Sequence, residues 1–319
     1  MKKINVAIAG YGNLGQAMEE ILIKKQEYNL VAIFSRRKIK SKFKTNVVDI
    51  ENINDFKGKI DIVFLTLGSY EDIEKFAPQI AKNFNIIDSF DTHTKLKNYL
   101  TNLNKIAKNS KTVAISAFGW DPGLMSLVRA IFQSIDSTSP CESFWGKGVS
   151  QGHSNAIRRL KGVKNAIQYT IPNKDILIKC KNLFDFTPKK EEKHQRLCYV
   201  AKENYSNEKE IKNNILSMPN YFLGFNTKVV FENDKQIKSR QKKLSHKGYV
   251  FKNFISCSQK NKLQFYLSTT SNPHFTAVLM IMGAKAVARL VTEKNFGAFT
   301  ICDIPIKYFL DNKNIFKLL

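Results

Sequence analysis

Up to residue 117, short apolar runs alternate with segments of helical periodicity. The runs at 4–9, 30–34, 60–67, 85–88 and 112–117 read as buried strands, with Asn46-Val47-Val48-Asp49 as a further short one. Residues 16–25, 70–83 and 95–108 place apolar positions on one helical face. Strand following helix at this spacing predicts a doubly wound parallel sheet, whose ligands bind outside the carboxyl ends of the strands. Gly68-Ser69, Asp91 and the turn Gly119-Trp120-Asp121-Pro122-Gly123 all fall at such ends.

After Pro122 the pattern changes. A helix over 124–135, a short strand over 143–146, a polar loop over 148–154 and a basic helix after it are predicted. Longer β-like stretches follow at 166–171, 196–201, 227–231, 248–256 and 263–269. Helical segments intervene near 176–183 and 208–218, and a long amphipathic helix spans 276–291. Successive strands separated by turns predict an α+β arrangement. The expected organisation is therefore α/β, with a doubly wound domain over 1–118 and a second α+β domain for substrate and dimerisation over 119–297. The stretch from about 298–319 is a candidate to pack back on the first domain.

The first strand sharpens this picture, because it ends in Gly10-Tyr11-Gly12-Asn13-Leu14-Gly15, a G-x-G-x-x-G turn between a strand and a helix. Gly10 permits the tight turn, Gly12 lets the backbone approach a pyrophosphate, and Gly15 lets the helix pack against the sheet. The helix N-terminus then offers amide groups and a positive dipole end to phosphates. This is the Rossmann-type dinucleotide fingerprint in its required context. The second strand ends in Ser35-Arg36-Arg37, where an NAD-preferring site would usually carry an acid for the ribose 2′-hydroxyl. Two guanidiniums and a hydroxyl suit a 2′-phosphate, so NADP is the expected cofactor.

Composition changes the picture little. With 319 residues, 43% of them hydrophobic, the chain can bury a large core. The 51 Lys and Arg against 27 Asp and Glu give a formal charge of +24. The lysines are scattered through every segment and form no nucleic-acid-binding pattern, so neither nucleic acid nor membrane is expected as a partner. The five cysteines are widely spaced, with no C-x-x-C, and read as free thiols of a cytoplasmic protein. His93, His153, His194 and His274 lack metal-ligand spacing, and no metal is expected.

Further motifs run through the rest of the chain: Phe34-Ser35-Arg36-Arg37, Gly119-Trp120-Asp121-Pro122-Gly123, Phe144-Trp145-Gly146 and Ser150-Gln151-Gly152-His153-Ser154. They continue through Ala156-Ile157-Arg158-Arg159, Gln168-Tyr169-Thr170-Ile171-Pro172 and Gly297-Ala298-Phe299-Thr300. With these motifs the chain resembles the meso-diaminopimelate dehydrogenases over nearly its whole length. The resemblance implies reversible, NADP-dependent oxidative deamination at the D-centre of meso-2,6-diaminopimelate. The products are L-2-amino-6-oxopimelate, ammonia and NADPH, and the reverse direction serves lysine and cell-wall precursor synthesis. It also implies a homodimer. The rival readings are another NADP-dependent oxidoreductase of the same plan, or a non-catalytic NADP-binding or basic nucleic-acid-binding protein.

Carried over residue by residue, the resemblance implies that Asp91 and Asp121 accept hydrogen bonds from the D-centre ammonium, with Trp120 and Trp145 shaping that end. Gln151 and Gly152 lie on a loop that closes over the substrate. Thr170, Arg196 and His246 bind the distal L-centre carboxylate, and Asn272 contacts that amino-acid group. The cofactor residues implied are Gly10 to Gly15, Ser35, Arg36, Arg37, Gly68, Ser69, Tyr70, Asp72, Asp91, Thr92, His93, Asp121, Pro122 and Gly123. The chemistry agrees with the residue types: two ammonium and two carboxylate groups call for acids at one place and Arg, hydroxyl and amide donors at another. Asp121, Asp91 and water are all open as the proton acceptor. Tyr70, Phe118 and Thr92 depart from the pattern, where a smaller residue, a small or hydroxyl residue, and Asn are expected.

Overall fold

A computed structural model of the chain describes residues 3–68, 71–242, 244–310 and 318. In chain order the first elements are β1 (Ile4–Ala9), α1 (Asn13–Leu22), β2 (Tyr28–Ser35), β3 (Val47–Asp49) and β4 (Ile62–Leu65). They are followed by α2 (Asp72–Ile80), β5 (Asn85–Asp88), α3 (Leu96–Ser110), β6 (Val113–Ile115) and α4 (Leu124–Ile135). Next come β7 (Cys141–Trp145), β8 (Gly148–Val149), α5 (Gln151–Arg158), β9 (Val163–Pro172), α6 (Lys174–Asn182), β10 (His194–Lys202) and α7 (Glu208–Leu216). The chain continues through β11 (Asn226–Phe231), α8 (Asp234–Arg240), β12 (His246–Ser256), β13 (Gln259–Thr269), α9 (Asn272–Thr292) and β14 (Gly297–Phe299).

Two compact units divide the chain: residues 1–127 with 273–319, and residues 128–272. The first holds a seven-stranded sheet in the order β14-β6-β5-β4-β1-β2-β3, every pair parallel. The order reverses between β1 and β4, which is the crevice where doubly wound sheets bind ligands. Its strands read as nearly unbroken apolar runs because both faces are covered: Ile8, Ile33 and Phe64 pack in one cluster, and Ala9, Phe34 and Leu65 in the other.

The domain boundary differs from the expected one. The helix placed in the second domain, α9, buries Ala277, Met280, Ile281, Ala284, Val287 and Leu290 in the first unit's core. A core-facing stripe in a helix has the same period whichever sheet it covers, so its pattern carried no address. α9 matches a membrane span in length and hydropathy, yet it carries Lys285 and Arg289 and its apolar residues are used in that core. β14 then pairs with β6 through Gly297–Val113, Ala298–Ala114 and Phe299–Ile115.

The second unit holds a four-stranded sheet, β11-β10-β9-β8, and a three-stranded one, β13-β12-β7. The latter is antiparallel throughout, whereas the former mixes a parallel β10–β11 pair with antiparallel β10–β9 and β8–β9 pairs. Gln151 and Gly152 are not on a loop. They open α5, whose N-cap Ser150 accepts from the backbone N–H of His153, because a hydroxyl at that position satisfies a first-turn amide.

Candidate active site

The glycine turn is built by close packing around Thr66. Gly10 has φ +103°, and a Cβ there would meet the Thr66 carbonyl oxygen at 2.9 Å. A Cβ on Gly15 would collide with the carbonyl oxygen of Gly10. The Thr66 hydroxyl donates to that same oxygen at 2.7 Å, locking the turn to the end of β4. Gly12 is the opposite case: it is exposed, and a Cβ there would have nothing within 4 Å. It is the N-cap of α1 and offers no side-chain oxygen to the first-turn amides, so those amides are left for an outside acceptor. An open approach, uncapped amides and nearby cations fit a dinucleotide pyrophosphate.

At the end of β2, Ser35 donates to the Arg37 carbonyl oxygen at 3.0 Å and accepts from its N–H at 3.1 Å. Arg36 pairs with Asp72 at 2.7 Å and its guanidinium lies 5.5 Å from the Phe76 ring centroid. Asp72 thus braces a cation beside the cofactor cradle. Tyr11 contributes through its backbone, since its side chain is buried and its hydroxyl donates to Glu19. Glu19, fully buried, also accepts from Ser41 and from Thr45 at 2.6 Å. Burial pushes the Glu19 carboxyl up, but the hydroxyl donors outweigh it and hold its pKa below the ordinary value. This cluster ties the loop after Arg37 to α1, and hydropathy periodicity gave no sign of it. Gly68 caps the start of α2, its carbonyl accepting from the N–H groups of Asp72 and Ile73 at 3.1 Å each. Ser69 and Tyr70 lie outside the described residues.

Asp91, Thr92 and His93 follow β5, and Trp120 to Gly123 follow β6, so both segments sit at carboxyl ends of neighbouring strands of the first unit. Asp91, Trp120 and Asp121 are half-buried, Pro122 and Gly123 buried. Gly119 donates to the Pro122 carbonyl oxygen at 3.0 Å, and Leu124 to that of Gly119 at 3.0 Å, which closes the Asp121 turn tightly.

The second unit gathers the remaining predicted residues along β7, β8, β9, β10 and β12. Arg196 stands opposite Thr170 across the β10–β9 pair, and its Nη1 donates to Thr170 Oγ1 at 2.7 Å. The guanidinium lies 4.6 Å from the Phe225 ring centroid, is 8% exposed, and has a buried Nε without an acceptor. Burial lowers its pKa to about 10, leaving it cationic at neutral pH. Gly148 also pairs with Thr170 and packs against the His246 ring, which fills the space where a Cβ would sit. His246 is 3% exposed and its Nδ1 lies 2.9 Å from the Lys247 carbonyl oxygen; burial pushes its pKa down to about 4. Asn272 donates through Nδ2 to the Val149 carbonyl oxygen at 3.4 Å. Trp145 donates its backbone N–H to Nε2 of His194 at 2.8 Å. His194 lacks metal-ligand spacing, and its role as a buried acceptor has no sequence signature.

These features define the class: a dinucleotide-binding α/β protein with a separate α+β unit. Residues 119–271 match the diaminopimelic acid dehydrogenase C-terminal domain family. The chain is 38% identical over 309 residues to the meso-diaminopimelate D-dehydrogenase of Ureibacillus thermosphaericus, covering 96% of this chain and 95% of that one. It is 34% identical to the enzyme of that name from Corynebacterium glutamicum, covering 100% and 99%. Among solved structures, C. glutamicum DAP dehydrogenase in complex with DAP superimposes with a TM-score of 0.92 at 33% identity, covering 100% of this chain and 98% of that one. An engineered D-amino acid dehydrogenase bound to NADP+ gives 0.92 at 32% identity, covering 99% and 98%. The chain belongs to the meso-diaminopimelate D-dehydrogenase family.

Proposed function

We propose that this protein catalyses the NADP-dependent oxidative deamination of meso-2,6-diaminopimelate at its D-centre, reversibly, in lysine and peptidoglycan precursor synthesis. The product is L-2-amino-6-oxopimelate, released with ammonia. The observation that carries the substrate reading is Arg196, a buried cation whose Nε has no acceptor and which pairs with no carboxylate among the described residues. A substrate carboxylate supplies what that guanidinium lacks.

Gly10 to Gly15, with Ser35, Arg36 and Arg37, hold the dinucleotide. Bound there, NADP supplies the hydride acceptor. Asp91 and Asp121 accept from the ammonium of the D-centre and hold that carbon in one orientation, while Trp120 and Trp145 shape that end of the pocket. Thr170, Arg196, His246 and Asn272 bind the L-centre, so the two similar ends of the substrate are told apart by opposite charge. The amine must lose a proton before its carbon is oxidised, and Asp91, Asp121 and water are the acceptors available to it. The reading includes a homodimer, supported by the exposed apolar residues Ile131 and Ile135 on α4. It also includes a cytoplasmic location, supported by five free thiols.

The test is NADPH formation at mildly alkaline pH from NADP and the meso isomer, with the LL isomer and NAD alongside. Turnover of the meso isomer with NADP is expected. NADP binding without turnover of any isomer would point to a sensor or to a different substrate.

A further inference from the structure

We propose that Asp88 is a positioning residue for catalysis, its carboxylate fixing the Asp91 and Asp121 segments relative to each other. The inference rests on the assignment of those two acids to the substrate ammonium.

Asp88 ends β5 and is fully buried. β5 and β6 run side by side through Ile86–Ala114 and Ile87–Ile115, and there the ladder stops. Asp88 takes over from it. One carboxylate oxygen accepts from Phe90 N–H at 2.9 Å, from the Ser116 hydroxyl at 2.7 Å and from Ala117 N–H at 3.1 Å. The other accepts from the Tyr99 hydroxyl at 2.6 Å. The backbone carbonyl of Asp88 accepts from Phe118 N–H at 2.9 Å. One residue therefore holds the first step of both segments.

The arrangement is more than a satisfied core polar group. Ala117 adopts φ +54°, a left-handed conformation that residues with a Cβ seldom take, and Asp88 receives its N–H. A carboxylate buried without a cation is unfavourable unless donors surround it, and a strand end needing only a filler could repeat Ile86 and Ile87. Phe90 stacks on Tyr99 with centroids 4.3 Å apart, so the Asp91 segment is held to α3 as well. The two segments also touch: the Ser89 side chain is 3.6 Å from where a Cβ on Gly119 would sit. Because the turn from Gly119 to Gly123 is closed on itself, the placement of Asp121 follows from where Ala117 and Phe118 are anchored. Asp88 itself stays out of the chemistry, with all its oxygens engaged inside the fold.

Kinetics with meso-diaminopimelate and NADP, NADPH binding by fluorescence, and thermal unfolding of Asp88→Ala, Asp88→Asn, Tyr99→Phe and Ser116→Ala test this. Asp88→Ala is expected to lose about 100-fold in kcat, the scale of an ångström misplacement, with a far smaller change in the NADPH Kd, because the glycine turn and Arg36 and Arg37, which Asp88 does not touch, still hold the dinucleotide. Asp88→Asn should recover most of that loss, since its amide oxygen keeps the acceptor role and its NH2 group can donate to the Tyr99 oxygen. A folded Asp88→Ala protein with wild-type kcat overturns the inference, as does a kcat loss matched by loss of NADPH-binding protein. Should Asp88→Ala not fold, Tyr99→Phe and Ser116→Ala decide: a lower kcat with a far smaller change in NADPH Kd supports the role, and wild-type kcat in both refutes it. The wild type separates the two readings. Failure of the wild type to oxidise the meso isomer removes the assigned reaction, whereas normal wild-type turnover with indifferent variants removes only the role of Asp88.

Discussion

Arg196 donates to Thr170 across a β-pair at 2.7 Å, while its Nε is buried with no acceptor. The hydroxyl fixes the direction of the guanidinium without neutralising it. A charge kept in this state is unfavourable for folding and useful for binding an anion. Replacing Arg196 with Met should lower kcat/KM for meso-diaminopimelate by at least about 100-fold, the scale for losing one partner of a buried charged pair. The KM for NADP should hardly move, and the unfolding temperature should stay level or rise. Arg196→Lys should fare little better, because an ammonium lacks the planar fork. Equal losses for substrate and cofactor would contradict this assignment.

Gly12 and Gly15 belong to one motif but fail differently when given a Cβ. At Gly15 the added carbon collides with the Gly10 carbonyl oxygen, so Gly15→Ala should destabilise the first unit by about 1–3 kcal/mol, the range for overpacking. At Gly12 nothing lies within 4 Å and φ is −87°, so Gly12→Ala should leave the unfolding temperature unchanged and weaken NADP binding alone. Thermal unfolding beside NADPH titration checks both. Comparable effects of the two substitutions on stability would mean that the open space at Gly12 is not reserved for a ligand.

Such contrasts mark how far the sequence could be read. The parallel sheet was legible because strands covered on both faces carry long apolar runs, and the glycine turn because its spacing is dictated by backbone contacts. The limits of α5 and the allegiance of α9 were not. Ser150 can equally serve a polar loop or cap a helix, and an amphipathic stripe does not name the surface it covers. The second unit's site was identifiable only through the joint occurrence of Trp145, Thr170, Arg196, His246 and Asn272, drawn from separate strands. The roles of Asp88, Glu19 and His194 depend on partners as far as 28, 26 and 49 residues away. No local pattern encodes such pairings.

Arg36 is held by Asp72 at 2.7 Å while half of its side chain remains exposed, and Ser35 fixes the backbone of Arg37. The 2′-phosphate of NADP is the one group that separates it from NAD. Replacing both arginines with Ala should raise the KM for NADP by about 10- to 100-fold, from the 1.5–3 kcal/mol of a hydrogen bond to a charged group. NAD kinetics should change by less than about threefold, since NAD has no phosphate for these cations to pair with. Asp72→Asn should produce a smaller shift in the same direction, because it frees Arg36 without removing it. Parallel losses with both cofactors would show that the arginines serve the fold instead of the phosphate.

His194 accepts the Trp145 N–H at 2.8 Å, so its ring must be neutral at Nε2. Burial pushes its pKa down to about 3, and the cations of Arg196 and Lys193 act in the same direction. In the unfolded chain the same imidazole titrates near about 6.5. Above that value both states are neutral, and the hydrogen bond contributes in full. As pH falls from about 6.5 towards 3, the unfolded state gains a proton that the folded state refuses, and stability drops by about 1.4 kcal/mol per unit. By pH 5 this histidine alone should lower the unfolding free energy by about 2 kcal/mol relative to pH 7. His194→Gln offers an amide oxygen to Trp145 without titrating. Urea unfolding at pH 7 and pH 5 should therefore show a smaller drop for His194→Gln than for the wild type. Titrations common to both proteins, His246 among them, cancel in that comparison. Parallel pH profiles would mean that His194 is protonated in the fold and that another group receives the Trp145 amide.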